Sequence, residues 1–413
     1  MAVALNSVLL VTPRWTRDGG VATHAIASAE ALARHGLDVH VLAARVESGE
    51  APVGVTVHHC SELFNIHASP EVRVGDAMAS APDVIHFHQF EDPDVLAFMQ
   101  ASAPVLISVH GYTACTSGVY YFRPGQECTR AHGPGCVPNL LVRGCAHARL
   151  PRGLPSAYRR ATRGLEALRR ADLAISYSSA VDRHLAANEV NPREVIPLFT
   201  TMTPQTGSGH ATRRRVVFAG RIVAPKGIQV LIRAAREVDA EFVICGDGLG
   251  LEAMRKLARR LGVAERVLFK GWLSAEELAH ELAEASLVAM PALWPEPFGL
   301  VGIEALAAGR PVIASATGGV GDWLKDGVSG LYVKPGDVRA LVRALDELLD
   351  DPARQQTMGE AGRSMVAERF SPERHVAALL EAYGVARATW HADHDEQPLH
   401  ARTAQSAGAP SRA

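Results

Sequence analysis

The chain has 413 residues, too many for one ordinary domain and suited to two, and its 47% apolar residues can fill two cores. A formal net charge of −2 argues against nucleic acid or an acidic macromolecule as partner. Six cysteines argue against a disulfide-built fold, and no stretch approaches the roughly 18 apolar residues of a spanning helix. The short apolar start, Met1 to Val11, carries no basic residue before it, so a soluble cytoplasmic protein is expected.

In chain order, Val8-Leu9-Leu10-Val11 predicts a strand, then a loop ending at Gly19-Gly20, then a helix from about Val21 to Arg34. Gly36 suits the position just past a helix end, and Val39-His40-Val41-Leu42 predicts the next strand. This βαβ unit implies a parallel sheet with a right-handed crossover. Further strands are predicted at 55–58, 84–87, 105–109 and 173–176. His86 and His88 point one way along their strand with Phe87 opposite. They could face a cleft or be satisfied histidines at the core edge, and the second reading is preferred.

Residues 112–150 form an insert without a clear periodic pattern, carrying Cys115, Cys128, Cys136 and Cys145 together with His132 and His147. In a reducing compartment four thiols this close suit a structural zinc site, yet no Cys-x2-Cys pair is present. Zinc held by the four cysteines, separate thiols and disulfides all stay open. Tyr112, Tyr120, Tyr121 and Phe122 could form a platform for an acceptor or the insert's own small core. Seven arginines between Arg149 and Arg170 could be a solvated helix face or a peripheral contact with anionic lipid or a phosphorylated acceptor.

Residues 1–199 thus make a first domain, and 200–214, rich in Thr, Gly, Ser and Arg, read as a linker. A second series over 215–370 has strands at Val216-Val217-Phe218, Phe242 to Cys245, Val267 to Phe269, Leu287 to Met290 and Val312 to Ala314. Ser274 and Glu277 make a capping box for one helix between them. Ser371 and Pro372 open a terminal helix over 371–390, and the polar tail 391–413 is expected to be disordered. The fold class is α/β, two Rossmann-like doubly wound domains facing across a cleft at the carboxyl ends of their strands.

The strongest chemical signal runs from Glu296 through Pro297, Phe298, Gly299, Leu300 and Val301 to Glu304, before Gly309 and Pro311. Pro297 can preorganise a first helical turn, which makes the amides of Gly299 to Val301 open donors suited to an anion. Glu296 and Glu304 could hold hydroxyls on either side of a diphosphate. The plain alternative is a solvent-facing Glu pair on an ordinary helix. Arg221 and Lys226 stand five residues apart on a Gly-bounded loop after the domain's first strand and can bracket a diphosphate, Arg as a planar fork and Lys as a point charge. Gly246-Asp247-Gly248 and Gly318-Gly319 supply turns where backbone could approach a ligand.

Together these motifs resemble the retaining GT-B glycosyltransferases of family 4 (glycosyl transferases group 1). The likeness lies in Gly220-Arg221…Pro225-Lys226-Gly227, Gly246-Asp247-Gly248, Gly271-Trp272-Leu273, Glu296-x7-Glu304, Gly318-Gly319-Val320 and Gly327…Gly330. It extends more loosely to Gly19-Gly20, Val84 to His88 and Val109-His110-Gly111. The resemblance implies transfer of a sugar from a nucleoside-diphosphate sugar to a polysaccharide, glycolipid or small-molecule acceptor. Arg221 and Lys226 would neutralise the diphosphate and Glu304 would take the ribose hydroxyls. Glu296 would contact the donor sugar, with the amides of Phe298, Gly299, Leu300 and Val301 around it. Gly271, Trp272 and Leu273 would line the base, Gly19 and Gly20 would face the phosphates, and His110 would sit by the transferred sugar. No metal cofactor is implied for catalysis, and the terminal helix is expected to pack back on the first domain. Two departures stand out: Asp322 where the family usually has Glu, and the length of the insert. A sugar-nucleotide epimerase or hydrolase of the same fold, or a non-catalytic sugar-nucleotide binder, would be the alternative functions.

Overall fold

Strands made of unbroken apolar runs are buried on both faces, as parallel sheets require. Val8 to Val11 in one domain and Leu287 to Ala289 in the other have no exposure at all. The computed structural model describes residues 5–16, 19–47, 51–88, 92–116, 121–123, 126–142, 145, 154–202 and 214–395.

The first domain contains β1 (Ser7–Trp15), α1 (Gly20–Arg34), β2 (Asp38–Val46), β3 (Val55–His59), α2 (Pro70–Val74), β4 (Val84–His88), α3 (Pro93–Gln100) and β5 (Val105–Val109). There follow a hairpin of β6 (Tyr121–Arg123) and β7 (Gln126–Glu127), then α4 (Cys136–Val142), α5 (Leu154–Arg170), β8 (Leu173–Ser176), α6 (Ser179–Ala187) and β9 (Arg193–Val195). The second domain contains β10 (Arg215–Ala219), α7 (Ile228–Ala234), β11 (Glu241–Cys245), α8 (Leu251–Arg260), β12 (Val267–Gly271), α9 (Ala275–Ala283), β13 (Leu287–Met290) and α10 (Leu300–Ala307). It closes with β14 (Val312–Ser315), β15 (Gly330–Val333), α11 (Val338–Leu349), α12 (Pro352–Arg369) and α13 (Pro372–Asp395).

The first sheet has the order β3-β2-β1-β4-β5-β8-β9 and the second β12-β11-β10-β13-β14-β15. Every pairing in both is parallel. The chain therefore folds as the two doubly wound domains expected.

Some boundaries need correction. Pro297 does not open α10, which begins at Leu300 with Gly299 as its cap in a left-handed conformation, φ +92°. That reversal of backbone hand ends the Pro297 turn before helix can form. The terminal helix passes Trp390 and continues to Asp395, with Trp390 Nε1 donating to Gln100 O at 2.7 Å. The tail beyond Asp395 and most of the linker, 203–213, lie outside the described residues.

α13 leaves the second domain and packs against β5, β8 and α1 of the first. It buries Leu379, Ala382, Tyr383 and Ala386 completely. Thr200 N donates to Phe370 O, so the two chain crossings between domains are hydrogen-bonded to each other. No helix among the described residues is long and apolar enough to cross a membrane.

Candidate active site between two switch points

In each sheet the strand order reverses at its first strand: β2 lies on one side of β1 and β4 on the other, and β11 and β13 flank β10 likewise. A crevice opens at the carboxyl ends of such a pair, where the two following loops part in opposite directions. Here the two crevices share one cleft of about 1670 Å³. Gly19, Gly20 and His110 line it from the first domain. Arg221, Lys226, Trp272, Leu273, Glu296, Phe298, Gly299, Leu300, Val301 and Glu304 line it from the second. Gly271 does not line it: it turns at φ +74° and its carbonyl accepts from Gly246 N at 2.6 Å, so it supports the wall from behind.

The loop before α10 is held by the core. Trp323 is fully buried, its ring lies against Gly302, and its Nε1 donates to Phe298 O at 2.6 Å. Gly319 N donates to Glu296 O at 2.7 Å. These bonds fix the start of α10, whose first amides have no intrahelical acceptor and whose Leu300 and Val301 line the cleft. Leu300, Glu304 and Ala308 then present one face of the helix to it.

Arg221 and Lys226 sit on the loop that follows β10. Ile222 N donates to Asp247 O and Gly250 N to Ile222 O, which moors that loop to the Gly246-Asp247-Gly248 turn. Leu293 N donates to Pro225 O at 2.7 Å, which moors it to the loop after β13. Arg221 is exposed on that loop. Lys226 Nζ lies 2.9 and 2.8 Å from the two Glu296 oxygens and 5.7 Å from the Trp294 ring centroid. Trp294 Nε1 donates to Glu296 Oε2 at 3.1 Å. Lys226 and Glu296, expected to serve phosphate and sugar separately, are joined as one ion pair, with the carboxylate only 7% exposed.

Burial pushes the Glu304 carboxyl up from its ordinary 4.5 to about 7. The folded chain then keeps a proton that the unfolded chain has released, so stability is full below about 4.5 and declines as pH rises through 7. A Glu304→Gln variant is expected to melt close to the wild type near pH 4.5 and clearly above it at about pH 8. A Tm difference that stays constant across that range would contradict the shift.

Two family models match the chain. The one described as Glycosyl transferases group 1 matches residues 206–365, and the one described as Glycosyltransferase Family 4 matches residues 18–200. The chain belongs to the group 1 glycosyltransferases. Among its relatives is a GDP-mannose-dependent α-(1-6)-phosphatidylinositol monomannoside mannosyltransferase of Mycolicibacterium smegmatis, 38% identical over 42% of this chain and 48% of that one. A D-inositol 3-phosphate glycosyltransferase of Salinispora tropica is 39% identical over 41% of this chain and 38% of its own length. The chain thus spans about half, or less, of the length of the curated relatives it matches. Among solved structures, sucrose-phosphate synthase from Thermosynechococcus elongatus superposes with a TM-score of 0.71 at 22% identity, covering 92% of this chain and 98% of that one. Anabaena HepE in complex with UDP-glucose gives 0.68 at 20% identity, covering 91% and 99%. At these identities the structures attest the fold, GT-B.

Against that family pattern, the shorter Asp322 has its own task. Its carboxylate accepts from Ser179 N at 2.8 Å and from Ser179 Oγ at 2.7 Å, so the second domain caps α6 of the first. The insert also crosses between domains: Glu127 Oε1 accepts from Gly318 N at 2.9 Å. Its cysteines are unbridged and partly buried, and burial raises the Cys128 thiol, with Cys115 and Cys136 nearby adding to the effect. Among the described residues no group of three or more His, Cys, Asp or Glu could hold a metal ion, so the four-cysteine zinc cluster is not formed there. Cys115 and Cys128 pack on the first domain's core instead.

Tyr112 is buried against His184 and Trp294 where it helps to line the cleft, while Tyr120 and the side chains of Tyr121 and Phe122 lie outside the described residues. On α5, Arg163 and Arg170 pair with Asp94 and Glu166. His147, Arg149 and Arg152 fall outside the described residues. His86 and His88 are buried at the core edge, as preferred from the sequence, but their grouping with His24 and His375 behind His110 was not foreseen, because these residues come from elements far apart in the chain.

Proposed function

We propose that this group 1 glycosyltransferase moves a sugar from a nucleoside diphosphate to an acceptor hydroxyl, with retention of anomeric configuration. One observation carries the reading: two cations from the loop after β10 and the first residues of α10 line the same cleft from the same domain. A diphosphate there would accept from the amides and lie beside Arg221 and Lys226. Charge that develops on the leaving phosphate as the glycosidic bond breaks would then meet preorganised donors, with no metal ion required for that role. Glu304, further along the same helix, suits the ribose hydroxyls, and Glu296 the hydroxyls of the sugar. Gly19 and Gly20 at the start of α1 would close over the phosphates from the opposite domain. The retaining outcome rests on family membership.

The relatives and neighbours suggest which donors to try first, since one relative is named as GDP-mannose-dependent and a structural neighbour holds UDP-glucose. The test is a melting screen with UDP-glucose, GDP-mannose, an ADP-sugar and a dTDP-sugar. A donor at a hundred times its Kd adds about 2.7 kcal/mol, which raises Tm by several degrees. One of the four is expected to do so, and the anomeric coupling in the NMR spectrum of its transfer product should be that of the donor. If none of the four moves the melting curve, or the product is inverted, the reading fails.

A further inference from the structure

The wall behind His110 is built of imidazoles from three elements. His24 on α1, His86 and His88 on β4 and His375 on α13 are each at most 3% exposed. The His24 ring centroid lies 6.1, 5.7 and 5.1 Å from those of His88, His110 and His375. Most of the cluster is anchored. His86 sits between Tyr383 OH at 2.9 Å and Ser108 Oγ at 2.7 Å. His375 Nδ1 donates to Pro197 O at 2.8 Å, which leaves its own buried, unpartnered Nε2 as a bare lone pair, and His24 Nε2 lies 3.3 Å from Ser28 Oγ. His88 differs. Its Nδ1 lies 3.3 Å from His110 Nε2, and its Nε2 is buried with no partner.

That orphaned nitrogen decides where the protons are. A neutral imidazole carries one proton, so one ring nitrogen donates and the other accepts. Suppose His110 Nε2 held the proton: His88 Nδ1 would accept it, and the proton of His88 would sit on Nε2 as a buried N–H with nothing to receive it. A buried donor left unpaired is rarer and dearer than an idle lone pair. The other arrangement strands only a lone pair, with His88 Nδ1–H donating to His110 Nε2. The proton of His110 is then on Nδ1, the nitrogen with no partner among the described residues, on a side chain that lines the cleft. Neither ring is charged, since burial drives His88 down to about 3 and His110 well below its usual range, with the neighbouring imidazoles adding repulsion.

We propose that His88 is a positioning residue: its Nδ1–H fixes His110 as the neutral Nδ1–H tautomer, so that His110 offers a hydrogen-bond donor without charge to the ligand in the cleft. Only the identity of that ligand, the donor sugar, rests on the proposed sugar transfer.

The test is NMR of the full chain with ring-15N histidine, His110 being assigned by the signal lost in a His110→Asn variant. The expected spectrum shows His110 with a protonated Nδ1 and a bare Nε2 at neutral pH; a protonated Nε2, or an imidazolium, overturns the proposal. This measurement needs no donor, so it stands or falls independently of the sugar-transfer reading. In a His88→Leu variant the His110 signals should move toward the other tautomer. The kcat for slow hydrolysis of whichever of UDP-glucose or GDP-mannose raises Tm should fall about tenfold, with KM within about twofold. His88→Asn, whose side-chain amide can take the place of Nδ1–H, should recover most of the rate, which a loss of packing alone would not explain. A folded His88→Leu protein with unchanged His110 signals and full kcat would overturn the proposal. Should His88→Leu fail to fold, the wild-type spectrum still decides.

Discussion

Lys226→Ala is expected to lower kcat by about 10²- to 10³-fold, the usual effect of removing one preorganised group from a site of developing charge. Tm should fall by only a few degrees, because Lys226 is partly exposed and the Trp294 N–H still reaches Glu296. The ion pair adds a second expectation. Glu296 engages Lys226 through both oxygens, so a diphosphate must share that cation with the carboxylate. Glu296→Gln should therefore keep or tighten the binding of free UDP or GDP while lowering turnover, whereas Lys226→Ala weakens both. Calorimetric titration with the nucleotide, beside single-turnover rates for the two variants, separates these outcomes. Wild-type turnover in Lys226→Ala would remove Lys226 from the site. Equal loss of nucleotide binding in both variants would mean that the pair acts as a structural clamp.

The fold was legible where the physics is local. Runs such as Val8 to Val11 leave no polar face, which in a chain rich in βα alternation means a central parallel strand. β9 was not legible, since Arg193-Glu194-Val195 carries the charges an edge strand tolerates and reads as loop. β15 begins at a glycine and has two half-buried residues of its four, so it too gave a weak pattern. Pro297 misled for a definite reason: proline favours the first turn of a helix, but the left-handed Gly299 intervenes, and whether a glycine takes that conformation depends on its surroundings. Cleft-lining residues such as Arg221, Lys226, Glu296 and Glu304 were legible through family motifs, whose spacing reflects loops at the ends of β10 and β13, whereas Arg14, Glu30 and Glu276 were not. What the residues do to one another was not. Lys226 and Glu296 are seventy positions apart and become one unit only because β10 and β13 are neighbours. His24, His88 and His375 meet only because α13 returns across the first sheet.

That adjacency of β10 and β13 makes Gly227→Ala the most damaging single change expected in the second domain. Gly227 follows Lys226 at φ +75° and starts α7. A Cβ there would lie 1.7 Å from Pro291 O and 2.7 Å from Pro291 C, backbone atoms just past β13 that no rotamer change can move. The left-handed conformation costs an alanine about 1–2 kcal/mol, and forcing two backbones apart adds about 1–3 kcal/mol. Gly262→Ala provides the control, because Gly262 has φ +71° but nothing within 4 Å of the added carbon. It should show the conformational term alone. The loop carrying Arg221 and Lys226 also hangs on the Leu293 N to Pro225 O bond, which the same displacement stretches. Denaturant unfolding should thus place Gly227→Ala well below Gly262→Ala, and turnover should fall in Gly227→Ala but hold in Gly262→Ala. If the two variants lose equal stability and both retain turnover, the close approach of the two loops is not what holds the cations over the cleft.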